Sequence, residues 1–206
     1  MVFIISVNYN ISNLFGGMPS LQDLEKPESE LSSELYSSDN ILLGKYFRYN
    51  RSPVKFDELS DELVTTLLVT EDIRFYEHSG IDLKGLVRAT YGVVKNVATF
   101  GSSGLEGGGS TITQQLAKNL FKIRREKKGK LSNVPFLGLI ISKVKEWIVA
   151  VKLEEFYTKK EILAMYLNTA EYGSNSYGIK VAAKTYFDKD PSELNYNESS
   201  IIVGLL

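Results

Sequence analysis

From Phe56 onward the apolar residues of this chain fall at helical spacing, and that limits the fold more than any other feature. Phe56, Leu59, Leu63 and Leu67 recur three or four apart, which places them on one face of an α-helix. Asp57 and Ser60 are candidate caps. If that helix runs on, Glu71, Arg74, Phe75 and His78 share a face, and Gly80 stops it. Asp82 then caps a helix whose apolar face is Leu83, Leu86, Val87, Val94 and Val97. Ile112, Leu116 and Leu120 mark a third helix. Residues 136–156 read as a long one, with Leu137, Ile140, Ile141, Val144, Ile148 and Val151 as its buried stripe. Thr158-x-x-Glu161 is a capping box opening a helix through Ile162, Leu163, Tyr166 and Leu167. A short helix over 177–187 and an apolar one from Glu198, capped by Asn197, complete a mainly α fold. Residues 8–38 mix Gly, Pro, Ser and acids and read as an irregular lead-in. Residues 40–49 suit a strand paired with the Glu34 to Tyr36 region.

The bulk numbers exclude several function classes. A net charge of -1 over 206 residues gives no global pull toward nucleic acid. The absence of cysteine rules out thiol catalysis and disulfides, and a single histidine argues against structural zinc. Residues 122–130, KIRREKKGK, form a basic block suited to solvent or to lipid head groups. Residues 1–7, MVFIISV, are apolar but too short to cross a bilayer, and read as the stump of a longer hydrophobic segment. Both ends are abrupt, so the expectation is a piece of a longer chain.

The stretch GGGSTITQQLAKN, residues 107–119, carries the strongest local signal for a ligand. Glycines let backbone amides approach closely, and a helix starting at Ser110 or Thr111 adds partial positive charge. Thr111-x-x-Gln114 has the form of a capping box. Lys118 lies one turn in, on the face of Gln114, with Gln115 and Asn119 beside them. The pattern suits an anion, most naturally a phosphate. The plainer alternative is a glycine loop before an ordinary surface helix. No Lys-Ser/Thr pair follows the last glycine, so this is not a Walker loop.

Without cysteine, acid–base chemistry falls to carboxylates. Glu71 ends an apolar helical turn, beside Asp72 and near Arg74 and His78, and suits general-base work. Taken alone it reads as a solvated helix glutamate, and His78 as a hydrogen-bonded structural histidine. Glu146 sits between Lys145 and Trp147 on a strongly apolar helix, which suits a cleft; its plain alternative is a salt bridge to Lys143 or Lys145.

Together these residues resemble the peptidoglycan glycosyltransferases, glycosyltransferase family fifty-one, found in class A penicillin-binding proteins and monofunctional transglycosylases. TEDIRFYEHSGID resembles the first family motif and GGSTITQQLAKNLF the second. KVKEWIVAVKLEEFYTKKEILAMYLNTAEYG and YGIKVAAKTYF resemble the third to fifth. The likeness covers residues 42–206, with 1–41 as a membrane-proximal lead-in. It implies a lysozyme-like α fold with a membrane-dipping flank, and polymerisation of lipid II with a growing glycan chain as partner. By motif it implies Glu71 as general base and Glu146 as organiser of the donor pyrophosphate or of a divalent cation, Mg or Mn, with no organic cofactor. Ser110, Thr111, Gln114, Gln115, Lys118, Asn119 and Lys143 would bind substrate, supported by Asp72, Arg74, Phe75 and His78. The implied location is the extracytoplasmic face of the bacterial inner membrane, through an N-terminal anchor. A transpeptidase module beyond the C-terminal end is left open.

The chain departs from the family pattern in three ways. Ser142 precedes Lys143 where the family has arginine, and Arg124, Arg125 or Lys127 is the candidate replacement. Insertions fall before the glycine run and across residues 126–135. The stretch also ends before any transpeptidase module. Two other readings compete: a glycan-cleaving lysozyme or lytic transglycosylase, and a non-catalytic module that binds lipid II.

Overall fold

The computed structural model describes residues 2–20, 23–24, 33–40, 42–46, 53–98, 109–121, 129–134, 137–174 and 176–206. Its helices are α1 (Val2–Asn8), α2 (Asp61–Glu71), α3 (Leu83–Ala98), α4 (Ile112–Phe121), α5 (Leu137–Phe156), α6 (Lys159–Thr169), α7 (Ile179–Phe187) and α8 (Tyr196–Val203). Strands β1 (Ser33–Tyr36) and β2 (Leu42–Tyr46) pair antiparallel, Ser33 opposite Tyr46, as the sequence led us to expect. The chain forms two compact units. One joins Met1–Ser20 to Glu71–Phe156, the other Leu21–Thr70 to Tyr157–Leu206.

The first unit is built on α5. This helix buries Ile141, Val144, Val149, Ala150 and Leu153, together with Lys145 and Glu146. The expected stripe is only partly right: Leu137 is 40% exposed, and Ile140, Ile148 and Val151 are half-buried. The reason is that α5 packs on α4 and also on α1 and a 3₁₀ turn at Lys130–Asn133. A helix covered from several sides has no single apolar stripe. Val7 and Phe15 pack into Ile141 and Val144, with Trp147 at the edge. Residues 2–20, which hold the apolar start and the first part of the lead-in, thus pack within this unit. Asn10 Oδ1 accepts the N–H groups of Phe15 and Gly16 at 3.0 and 2.8 Å. Leu131 N–H donates to Leu14 O at 3.0 Å, and Lys145 Nζ to Gly17 O at 3.2 Å.

Helix α3 also departs from expectation. Asp82 caps it, accepting the Gly85 N–H at 3.0 Å. Yet Leu83 and Val87 are 68% and 70% exposed, and Leu86 is half-buried. Leu83, Val87 and Tyr91 recur every four residues and form one solvent-facing apolar stripe. The side chains of Val94 and Val97 lie outside the description.

In the second unit a 3₁₀ turn at Phe56–Glu58 precedes α2, so Phe56 and Leu63 are not on one helix. Ser60 caps α2, its Oγ accepting the Leu63 N–H at 3.2 Å, and Leu63 and Leu67 are fully buried. Thr158 and Glu161 form the expected capping box, at 3.3 and 2.7 Å. For α8 the cap is Asn195, not Asn197: its Oδ1 accepts the Glu198 N–H at 3.0 Å. Asn168 bridges both polar groups of Val54. Burial pushes the Tyr172 phenol well up, and its O–H donates to Leu167 O at 3.2 Å.

Candidate functional site

The sequence allowed for α2 to run on to Gly80. It stops at Glu71, and Phe75–Glu77 form a separate 3₁₀ turn. Glu71 thus ends α2, while Arg74, Phe75 and His78 lie on the turn beyond it rather than on the same helical face. Glu71 is half-buried at the end of α2, and its Oε2 accepts a hydrogen bond from Gln115 Nε2 at 2.7 Å. Asp72 is buried and faces the other way, into His78 and the start of α4. Phe75 is buried with its ring edge-on to Tyr76 and His78. Arg74 pairs with Asp82 at 2.5 Å. Burial opposes charge on Asp82, but Arg74 and the Gly85 N–H hold its carboxyl below the usual range.

Helix α4 starts where the sequence placed it, with Thr111 as its cap. Thr111 Oγ1 accepts the Gln114 N–H at 3.2 Å. Only half of the expected capping box forms, because the Gln114 amide reaches Gly80 O at 3.0 Å instead. Thr111 Oγ1 donates to the same carbonyl at 2.8 Å. Thr111 and Gln114 are 2% and 1% exposed. They do not line a surface; they brace the helix start from beneath. At the helix start the Ile112 N–H donates to Asp72 Oδ2 at 3.0 Å. The amides of the first turn are thus largely taken by the protein's own acceptors. What faces outward from α4 is Gln115, half-buried, with Lys118 and Asn119 exposed.

Ser110 brings the third helix in. Lys143 Nζ donates to Ser110 Oγ at 2.7 Å and to Glu146 Oε2 at 3.1 Å. The Glu146 side chain is 2% exposed and that of Lys143 28%. The salt bridge allowed for Glu146 therefore exists, but it is buried on the glutamate side rather than superficial. A charge so enclosed is held only with a partner at hand. Ser142, in the family's arginine position, is half-buried. Arg124, Arg125 and Lys127 lie outside the described residues, as do Gly107 and Gly108.

Two supports were missed by sequence reasoning. Thr113 Oγ1 donates to Glu154 Oε1 at 2.6 Å, tying α4 to α5. Gly80, expected only as a helix stop, has φ +86°, and a Cβ there would lie 2.9 Å from the backbone of Ala150. Both join residues far apart in the chain, and no local pattern announces them. Among the described residues no group of three or more His, Cys, Asp or Glu could cage a metal ion. The donor set fits a divalent cation only as a single carboxylate, Glu146, sharing the ion with ligand oxygens.

The arrangement offers a carboxylate oriented by an amide and, at the other end of the same helix start, an ammonium–carboxylate pair beside a hydroxyl. It can take a proton at one place and neutralise an anion at another.

A family model described as transglycosylase matches residues 39–206. The chain is 36% identical over 188 residues to penicillin-binding protein 1A of Escherichia coli (strain K12), covering 91% of this chain and 20% of that protein. It is 39% identical over 180 residues to penicillin-binding protein 1A of Haemophilus influenzae, covering 87% and 19%. To penicillin-binding protein 1F of Bacillus subtilis (strain 168) it is 34% identical over 174 residues, covering 84% and 22%. It thus spans about a fifth of the length of these curated relatives.

Proposed function

The chain belongs to the transglycosylase family, as the glycosyltransferase domain of class A penicillin-binding proteins, and from that premise we propose that it polymerises lipid II into the glycan strands of peptidoglycan. The observation that supports the reading is that one helix start meets both the Glu71 carboxylate and the Lys143–Glu146 pair. Gln115 of α4 orients Glu71, and Ser110 just before α4 meets the Lys143–Glu146 pair.

In this reading Glu71 is the general base. Its free oxygen takes the proton of the acceptor sugar hydroxyl while that oxygen attacks the anomeric carbon of the donor. The bond from that carbon to the pyrophosphate breaks, and the configuration inverts, the base half of the two-carboxylate scheme of inverting glycosidases. Undecaprenyl pyrophosphate leaves as an anion, so it needs positive charge rather than a strong acid. Lys143 and exposed Lys118 supply the charge, and Ser110 a hydrogen bond. Glu146 keeps Lys143 in place and, with pyrophosphate oxygens, would hold a divalent cation, which adds further charge neutralisation. Asn119 lines the same face of α4.

The reading places the domain on the outer face of the inner membrane. Among the described residues no helix is long and apolar enough to cross a membrane; the reading includes an N-terminal anchor and leaves a transpeptidase module open. The exposed stripe Leu83, Val87, Tyr91 suits the lipid-facing flank, since an apolar face on a surface helix can lie in a head-group layer. The test is incubation of the purified protein with lipid II and Mg or Mn. Glycan chains and undecaprenyl pyrophosphate are expected. Digestion of purified sacculi without polymer formation would assign a glycan-cleaving enzyme instead.

A further inference from the structure

Helix α5 is gripped from behind. Val7 and Phe15 pack on Ile141 and Val144, with Ile148 at the edge of the cluster. Lys145, on the same face, is 2% exposed, and its Nζ donates to Gly17 O at 3.2 Å. Lys143 and Glu146 lie on the opposite face. There Lys143 Nζ donates to Ser110 Oγ at 2.7 Å and to Glu146 Oε2 at 3.1 Å. One helix thus carries the N-terminal segment on one side and the ion pair on the other.

The gripping segment is itself braced. Asn10 Oδ1 accepts the N–H groups of Phe15 and Gly16, and Leu14 O accepts the Leu131 N–H. Gly129, just ahead of the Lys130–Asn133 turn, presses on the same backbone: a Cβ there would lie 2.3 Å from Gly16 N and from Leu14 O. Residues 10–17 are therefore fixed independently of Lys145. Apolar contact has no preferred direction and lets a helix turn or slide. A hydrogen bond has one. Burying an ammonium is costly unless acceptors meet it, whereas methionine would cover the cluster without that cost. A lysine at this place therefore serves direction rather than burial.

We propose that residues 10–17 are a strap that sets the donor site from the back of α5, with Lys145 as the positioning residue: by holding Gly17 O it fixes the rotation of α5 that presents Lys143 and Glu146 to Ser110. The inference rests on the reading of Lys143 and Ser110 as the cradle of the donor pyrophosphate.

The test is a double-mutant cycle between the strap and the cradle, read as KM for lipid II. Lys145→Met is expected to raise KM about tenfold, the scale of one weakened hydrogen bond to a charged group. Ser110→Ala removes the cradle contact itself, so adding Lys145→Met to it should raise KM little further. Lys145→Arg still has a donor for Gly17 O and should recover part of the loss. The single tryptophan, Trp147, packs against the Phe15 cluster, and its emission should shift to longer wavelength in Lys145→Met and less in Lys145→Arg. Phe15→Leu loosens the same strap more gently, should show the same lack of additivity with Ser110→Ala, and serves if Lys145→Met fails to fold. KM ratios that simply multiply in the double variant would overturn the proposal, because sites that act independently add in free energy. So would a wild-type KM or an unshifted emission in Lys145→Met. In those cases a raised KM in Ser110→Ala leaves the cradle standing. A wild-type KM in Ser110→Ala alone would instead remove the cradle reading, and the proposal with it.

Discussion

Gly80 does two jobs that no other residue type can do together. Its φ of +86° is strained for any side chain, and a Cβ would press on the backbone of Ala150. Gly80→Ala is therefore expected to destabilise by more than the ~1–2 kcal/mol of a left-handed residue alone, read from the urea midpoint at unchanged m-value. Charge gives a second residue-scale expectation. The Thr158 backbone N–H, then its hydroxyl, hold the Glu161 carboxyl below its ordinary value. A depressed carboxyl stabilises above its unfolded pKa and loses that contribution as pH falls through the folded one. Wild type should thus exceed Glu161→Gln in stability at pH 7, and the gap should close as pH falls below the ordinary glutamate range. A gap that is constant with pH would contradict the capping role.

At the scale of elements, what the sequence disclosed depended on how local the cause was. The Thr158–Glu161 box and the Thr111 cap act within a few residues and were readable. The burial of α5 was not, because neighbours from α1, α4 and the 130–133 turn decide it. Nor was the outward turn of α3, where helical spacing says that a face exists but not what covers it. The two helices should answer mutation differently. Leu153→Ala on α5 removes a fully buried side chain and should cost about 2–5 kcal/mol. Val87→Ser on α3 should change stability by no more than about 0.5 kcal/mol, while lowering retention of the protein on anionic lipid vesicles. A large loss of stability in Val87→Ser would mean that the stripe is covered.

Across the whole molecule, every candidate site residue falls in the unit made of Met1–Ser20 and Glu71–Phe156. The residue types were legible one motif at a time; the way they meet was not. Asp72 and Ile112 are 40 residues apart, and Glu71 and Gln115 are 44 apart. Only the folded chain reveals that Asp72 occupies the Ile112 amide at the start of α4. In the proposed reading the anion is therefore met by side chains, Lys143 and Ser110. Lys143→Met should accordingly cost about 1–3 kcal/mol through the buried Glu146 it deserts and weaken donor binding, seen as a higher KM for lipid II.

The central claim is that a carboxylate at position 71 takes the acceptor proton. The most direct measurement is the initial rate of lipid II polymerisation by wild type and Glu71→Gln, with matched circular dichroism and unfolding curves. A carboxamide keeps the shape but cannot accept the proton, so a fall of about 10² to 10⁴-fold is expected. A Glu71→Gln enzyme that is folded and polymerises at the wild-type rate would contradict it.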